Sequence, residues 1–416
     1  MSHDPRRFLE DLRGILGSPN ARILFLFGAG SSSSIKVPYP GHAGAGDPEL
    51  VALIPAVEAL TGECKKHAAS LGLEFEAAWD QLVAGCVAAS QTPHIESILS
   101  RLRVTIAAAD PAATPLGLSP ADLIKLEEDI QQTVARLTNP PEGRIPEDLP
   151  QHQFARWVRG TRRAQSIELF TTNYDILLER SLERAGVFVF DGFVGSYEPF
   201  FSPSLVSAPR MGSDSSWVGL WKLHGSVNWE TRAGGPGRPD RTVRTGPSGA
   251  GTFIYPSDRK YDESRKMPYM ALMDRFNTRL AIDGTVLITV GYSWGDDHLN
   301  AAVLEALDEH PSVTAISLMY SNVEKNPRLV QYASERTNLL AIGGRTAVIS
   351  GHQGLWQHTQ ALDATGGTLV DKWFDSDGGK PDEPDAPVGG KMRLGDFKHF
   401  AGFLEELGQR AWSTPR

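Results

Sequence analysis

LFLFGAGSSSSI, residues 24–35, is the stretch on which the reading of this chain turns. Its apolar run, 23–27, is short and unbroken, the pattern of a strand covered on both faces inside a parallel sheet. Gly28 and Gly30 follow at once. Glycines there let the backbone turn tightly and leave no side chain between main-chain N–H groups and a ligand, so strand and turn read as a cradle for phosphate or ribose. The third glycine of the dinucleotide fingerprint G-x-G-x-x-G is replaced by Ser33. An ordinary tight turn is therefore the competing reading, and the serine run 31–34 reads either as cradle hydroxyls or as a flexible turn.

The rest of the chain bounds the problem. With 416 residues it exceeds one ordinary domain, so a large α/β core with a substantial insertion is expected. A formal net charge of −9 argues against a general nucleic-acid-coating surface and leaves room only for a local basic groove. No apolar run approaches the roughly 18–20 residues of a membrane span, and the opening MSHDPRRFLEDLRG has charges where a signal peptide needs an apolar stretch. A cytoplasmic protein is expected. The two cysteines, Cys64 and Cys86, form neither a C-x-x-C pair nor half of a four-cysteine metal site, and read as small buried core residues.

Outward from the opening strand, the pattern alternates. Residues 4–17 read as an amphipathic helix and 22–27 as the first strand. From 47 to 164 the periodicity is helical, with FEAAWDQLVAGCVAAS, PHIESILSRLRVTIAAA and SPADLIKLEEDIQQTVARLT as the clearest segments; in the last, Ser119 is the N-cap and Pro120 the first helical residue. Strands return at 166–170, 217–223, 252–255, 285–290 and 313–319, several of them separated by helices. This alternation predicts an α/β fold, a Rossmann-like doubly wound parallel sheet with a helical insertion over 47–164 and no zinc ribbon. The main domain is expected over 1–350. A tail over 351–416 holds a Gly/Pro/Asp-rich linker, 375–391, and a final helix, 394–411. No internal repeat is visible.

Ligands of such sheets sit at the carboxyl ends of the strands. Three further predicted strand ends carry polar groups there: TTNYD (171–175), LHGS (223–226) and GYSWGDDHLN (291–300). Each has a plain alternative. Asn173 suits the cap of the helix that follows, Asp175 suits its first turn, and His224 before Gly225 suits a turn. Asp296, Asp297 and His298 suggest a metal or simply an acidic helix start. Tyr39, between Pro38 and Pro40, reads as stiffening a loop over the pocket.

GAGSS, TTNYD, KLHGS and GYSWGDDHLN, in this order at strand ends, resemble the sirtuin-like superfamily, especially its bacterial branch in anti-phage defence; HIESILSRL, 94–102, resembles a helical segment of that branch. The resemblance covers about residues 22–320. It implies NAD as the ligand, with Gly28, Ala29, Gly30 and Ser31 at the phosphates and Ser32 and Thr172 as further cofactor-binding residues. It further implies Asn173 and Asp175 on the nicotinamide side, His224 as base, and Gly291 and Ser293 on the adenosine side. Sirtuin deacylases carry a four-cysteine zinc ribbon, which two cysteines cannot build. No zinc is expected, and the resemblance points toward hydrolysis of NAD as substrate rather than lysine deacylation.

That chemistry suits a small catalytic set. Nicotinamide leaves from a pyridinium, so its departure needs no general acid, unlike the leaving oxygen of an ordinary glycosidase. Asn173 would orient water and ribose, Asp175 would position the pocket, and His224 would be the base, a contribution of about 10²- to 10⁴-fold. Depletion of cellular NAD in anti-phage defence is the expected role. Two other readings stand beside it: an NAD- or ADP-ribose-binding subunit of a nuclease or ATPase complex, and an ADP-ribosyltransferase. A homo-oligomer and a HerA-type ATPase partner are expected by analogy, with no membrane contact and nucleic acid reached only through a partner. The two terminal helices are candidate assembly surfaces.

Overall fold

The computed structural model describes residues 1–39, 49–110, 112–208, 217–246, 252–253, 267–359, 372–377 and 387–413. Strand β1 (Arg22–Phe27) lies at the centre of a parallel sheet. Its alternating side chains divide between two faces: Ile23, Phe25 and Phe27 enter one core and Leu24 and Leu26 the other. This division is why the run is continuously apolar, since a strand buried on both sides has no solvent face to mark with polar residues.

On one flank of β1 stand β2 (Glu168–Thr171), then β4 (Trp217–Lys222), then β3 (Phe188–Phe190) at the edge. On the other stand β5 (Thr285–Val290), β6 (Thr314–Leu318) and β7 (Leu339–Ile342). All these pairings are parallel. The chain leaves β1 toward β2 and later returns on the far side through β5, so the strand order reverses between β1 and β5. That reversal defines the crevice in which open α/β sheets bind ligands.

Helices α1 (Pro5–Gly17), α6 (Pro150–Gly160) and α11 (Phe397–Ser413) cover one face; α8 (Tyr269–Leu280), α9 (Asp297–Glu309) and α10 (Pro327–Ser334) cover the other. Between β1 and β2, helices α2 (Val57–Leu71), α3 (Leu73–Ala88), α4 (Ile95–Ala108) and α5 (Pro120–Thr138) close around a core of their own. Cys64 and Cys86 are fully buried in it, and burial pushes the Cys64 thiol up to about 12, so both act as apolar packing. Ser119 caps α5 by accepting from the Asp122 N–H at 3.2 Å.

Several sequence expectations shift at the margins. Helix α6 falls inside the predicted 47–164 insertion, yet Phe154 and Trp157 pack against Phe25 of the sheet. The tail is not separate: β9 (His352–Thr359) hairpins with β8 (Thr346–Ile349), and β11 (Pro387–Met392) and β10 (Phe374–Ser376) extend the same sheet antiparallel. The middle of the expected linker, 378–386, lies outside the described residues, as do 40–48 of the predicted loop and 254–255 of the predicted strand. Thr252–Phe253 pairs with Gly225–Ser226 and does not join the parallel sheet. Both terminal helices turn their apolar stripes inward, through Phe8, Leu9 and Leu12 in one and Phe397, Phe400 and Leu404 in the other. Those stripes are therefore unavailable to an assembly partner.

Candidate functional site

The site grows from the turn after β1. Gly28 N–H donates to Val290 O at 3.0 Å and Gly30 N–H to Gly291 O at 2.9 Å. A Cβ on Gly28 would stand 2.6 Å from Gly291 O, and one on Gly30 2.7 Å from Gly291 Cα. The glycines are thus required by the close approach of the β1 and β5 ends, and their amides are already engaged. This corrects the expectation of a free phosphate cradle at Gly28 and Gly30. The amide of Ala29 makes no hydrogen bond among the described residues and is the one the turn leaves to a ligand.

The serines that follow form one helical turn, Gly30–Ser33. Ser31 Oγ donates to Gly28 O at 2.8 Å, and Ser32 Oγ donates to Asp175 Oδ2 at 2.8 Å. Asn173, at the end of β2, donates its Nδ2 to both hydroxyls, 3.0 Å from Ser31 Oγ and 3.0 Å from Ser32 Oγ. Asn173 therefore does not cap the next helix. Asp175 lies just before the N-cap Ile176 and accepts from Leu177 N–H at 3.0 Å where α7 (Leu177–Arg184) begins. Burial raises the Asp175 carboxyl above its ordinary range, with Lys222 opposing the shift. Lys222 itself is buried, donating to Glu179 Oε1 at 2.9 Å and to the main-chain oxygens of Tyr174 and Asp175.

His224 follows the end of β4, 2 % exposed. Its Nδ1 lies 3.1 Å from Glu96 Oε1 and its Nε2 3.0 Å from Asp296 Oδ2. Glu96 comes from the first turn of α4 in the helical unit and also accepts from the Tyr174 hydroxyl at 3.0 Å. Asp296 is the N-cap of α9: its other oxygen accepts from His298 N–H at 2.9 Å and Leu299 N–H at 3.0 Å. Burial alone would lower the histidine, but the two carboxylates outweigh it and raise His224 to about 10. Burial would likewise raise both carboxyls, yet the imidazolium holds Glu96 and Asp296 below their ordinary range. At neutral pH the cluster holds one imidazolium and two carboxylates, a net charge of −1. Its proton affinity belongs to the trio rather than to His224 alone.

The end of β5 completes the rim. Gly291 takes a left-handed φ of +63° against the β1 turn, and Trp294 holds φ +59°, a conformation a bulky side chain adopts at a cost of about 1–3 kcal/mol. Trp294 is fixed there by its indole bond to Ser317 Oγ at 2.9 Å and by Asn300 Nδ2 donating to its carbonyl at 2.9 Å. Ser293 is exposed, and its carbonyl accepts from Asn326 Nδ2 at 2.8 Å. Thr172 stands half-buried beside the turn, its N–H bonded to Phe27 O at 3.0 Å. Asp297 points away and pairs with Arg328 at 3.1 Å, so the paired aspartates of the sequence divide into a site residue and a surface residue.

The sequence-named residues thus fall into an inner set, Ser31, Ser32, Asn173, Asp175 and His224, and a rim of Thr172, Gly291 and Ser293. Glu96 and Tyr174 are additions, and Asp296 gains a partner that its capping role did not suggest. The signal for Glu96 was only an acid at a helix start, which a helix dipole explains equally well. Among the described residues no group of three or more metal-ligating side chains is arranged to hold a metal, and no helix is long and apolar enough to cross a membrane.

No curated protein matches this chain. Residues 167–340 match the family model of the SIR2-like domain, an interval that carries Asn173, Asp175, His224, Gly291, Ser293 and Asp296. Together with the doubly wound sheet, that match supports a sirtuin-like family for this chain and fits NAD-dependent activity in general.

Proposed function

We propose that the protein is an NAD glycohydrolase, splitting the nicotinamide–ribose bond of NAD to nicotinamide and ADP-ribose. The observation that carries this reading is that Asn173 and the Glu96–His224–Asp296 cluster stand at the carboxyl ends of two neighbouring strands, β2 and β4. Positive charge develops on the ribose as neutral nicotinamide departs. A buried cluster of net charge −1 beside it stabilises that charge more strongly than the same groups would in water. Water adds its oxygen to the anomeric carbon, nicotinamide leaves with the bonding pair, and the released proton goes to a carboxylate of the cluster, Glu96 or Asp296. His224, already protonated and bonded through both ring nitrogens, holds the two acids in place and is not the base expected from the sequence.

Asn173 orients the water and the ribose, Asp175 holds Ser32, and Ala29 N–H with Ser31 and Ser32 faces the phosphates. Gly28 and Gly30 bring the strand ends together, Thr172 lies beside the turn on the β2 flank, and Gly291 and Ser293 form the rim on the adenosine side. The cellular role in this reading is NAD depletion in anti-phage defence, gated by assembly of the chain with itself or with a HerA-type ATPase; its support is the sirtuin-like resemblance. A binding-only subunit is the second reading. It is favoured by the internal pairing of the inner site, where Asn173, Ser32 and Asp175 already satisfy one another. An ADP-ribosyltransferase would share the first step and differ in its acceptor.

The test is incubation of the purified chain with NAD and chromatographic measurement of nicotinamide and ADP-ribose. Equal release of both supports hydrolysis. Nicotinamide without matching ADP-ribose supports transfer, and NAD binding with neither product supports the binding-only reading.

A further inference from the structure

At the opposite end of the sheet from His224, the amino ends of β2, β3 and β4 and the carboxyl ends of α6 and α7 enclose a cavity of about 810 Å³. Four arginines line it, Arg156, Arg159, Arg162 and Arg163, and no acidic side chain does. In a chain of net charge −9 this is a local inversion of sign. Glu405 engages Arg156 from outside, 2.6 Å from its Nε. Arg159 and Arg162 are exposed and make no ion pair or hydrogen bond among the described residues.

Arg163 is only 8 % exposed, and its buried Nε has no partner. Its two terminal nitrogens donate to main-chain oxygens at the end of α1, among them Ser18 O at 2.8 Å and Leu16 O. Burial draws its pKa down to about 10, as expected for a guanidinium shielded from water with no carboxylate beside it. Arginines at helix ends often serve the helix dipole, but two helix ends supply only about half a negative charge each. One guanidinium would balance them; after Glu405 takes Arg156 and the end of α1 takes Arg163, both Arg159 and Arg162 remain against that single unit of charge. Phe188, 57 % exposed, also lines the cavity and leans on Trp217 with ring centroids 5.7 Å apart.

Guanidiniums without acids call for a phosphate or carboxylate, and an exposed ring calls for a flat apolar partner. The volume lies within the roughly 300–1,000 Å³ of small-molecule sites. We propose that this cavity is a second ligand site, separate from the one at the carboxyl edge, and that it takes a nucleoside phosphate with its phosphates toward Arg159 and Arg162 and its base against Phe188. The proposal does not rest on the NAD reading.

The test is calorimetry of the full chain with ADP and, separately, with inorganic pyrophosphate, together with photolabelling by 8-azido-ADP. The expected result is label within residues 159–190 and ADP affinity at that site at least about tenfold weaker in Arg159→Ala/Arg162→Ala. Phe188→Ala should weaken ADP severalfold and leave pyrophosphate unchanged, and all variants should melt as the wild type does. The proposal is overturned if the double variant keeps full affinity and the label maps to the β1 turn, if pyrophosphate binds as tightly as ADP, or if neither binds.

Discussion

The two ends of the parallel sheet treat charge in opposite ways. At the carboxyl end the groups close on one another: His224 lies between Glu96 and Asp296, Lys222 meets Glu179, and Asp175 meets Ser32. At the amino end the pairing is divided. On one face Glu168 is saturated by Arg275, Arg279 and the Trp221 indole. On the other, Arg159, Arg162 and the Nε of Arg163 meet no acid among the described residues. The lesson is that a complete network fixes the geometry of reacting groups, while an incomplete one leaves binding capacity for a ligand. A negative cluster suits a site that must stabilise a cationic ribose, and an acid-free arginine pocket suits an anion.

The largest expected effect at the carboxyl end comes from Asn173→Ala or His224→Ala, each lowering nicotinamide release by roughly 10²- to 10⁴-fold with the fold retained, as read by product assay beside circular dichroism. Next come Glu96→Gln and Asp296→Asn. Each removes a carboxylate that raises His224, so the histidine should titrate well below about 10 in either variant, as followed by its imidazole resonances in NMR. A turnover loss without that titration shift would assign the two acids a purely structural role.

The same cluster carries a stability signature whose sign is fixed. A histidine raised from its ordinary 6.5 to about 10 contributes stability that is full below about pH 6.5 and is lost as pH rises through about 10. The depressed carboxyls Glu96 and Asp296 contribute stability that is lost toward acid. The wild-type melting temperature should therefore fall between pH 7 and 10 more steeply than that of Glu96→Gln/Asp296→Asn. Gly30→Ala comes after this, because its Cβ would meet Gly291 Cα at 2.7 Å. A loss of about 1–3 kcal/mol in denaturant unfolding is expected, the usual range for overpacking. The smallest effect belongs to the amino end: Arg159→Ala/Arg162→Ala should leave NAD turnover unchanged, which separates the two ends functionally.

How much of this was legible in sequence differs residue by residue. The central strands were legible because β1, β2, β4 and β5 are largely apolar runs followed by glycine, hydroxyl, amide or imidazole groups, and the return of the chain to β5 follows from their alternation with helices. Strands β7 to β11 were not, since they are short or glycine-bearing and take their place by pairing along the sheet edge. Asn173 and His224 could be picked out as strand-end residues, but not their bonds: Glu96 reaches His224 across 128 positions. The glycine turn was placed correctly and explained incompletely. The close approach of Gly291 that occupies its amides is a tertiary fact with no local pattern.

The most direct measurement is NAD binding by calorimetry and nicotinamide release by chromatography on the same preparations of wild type and Asn173→Ala. The account predicts release by the wild type and its loss by at least about 10²-fold in the variant, with NAD affinity changed far less. Equal release by the two proteins, or the absence of NAD binding in both, would contradict it.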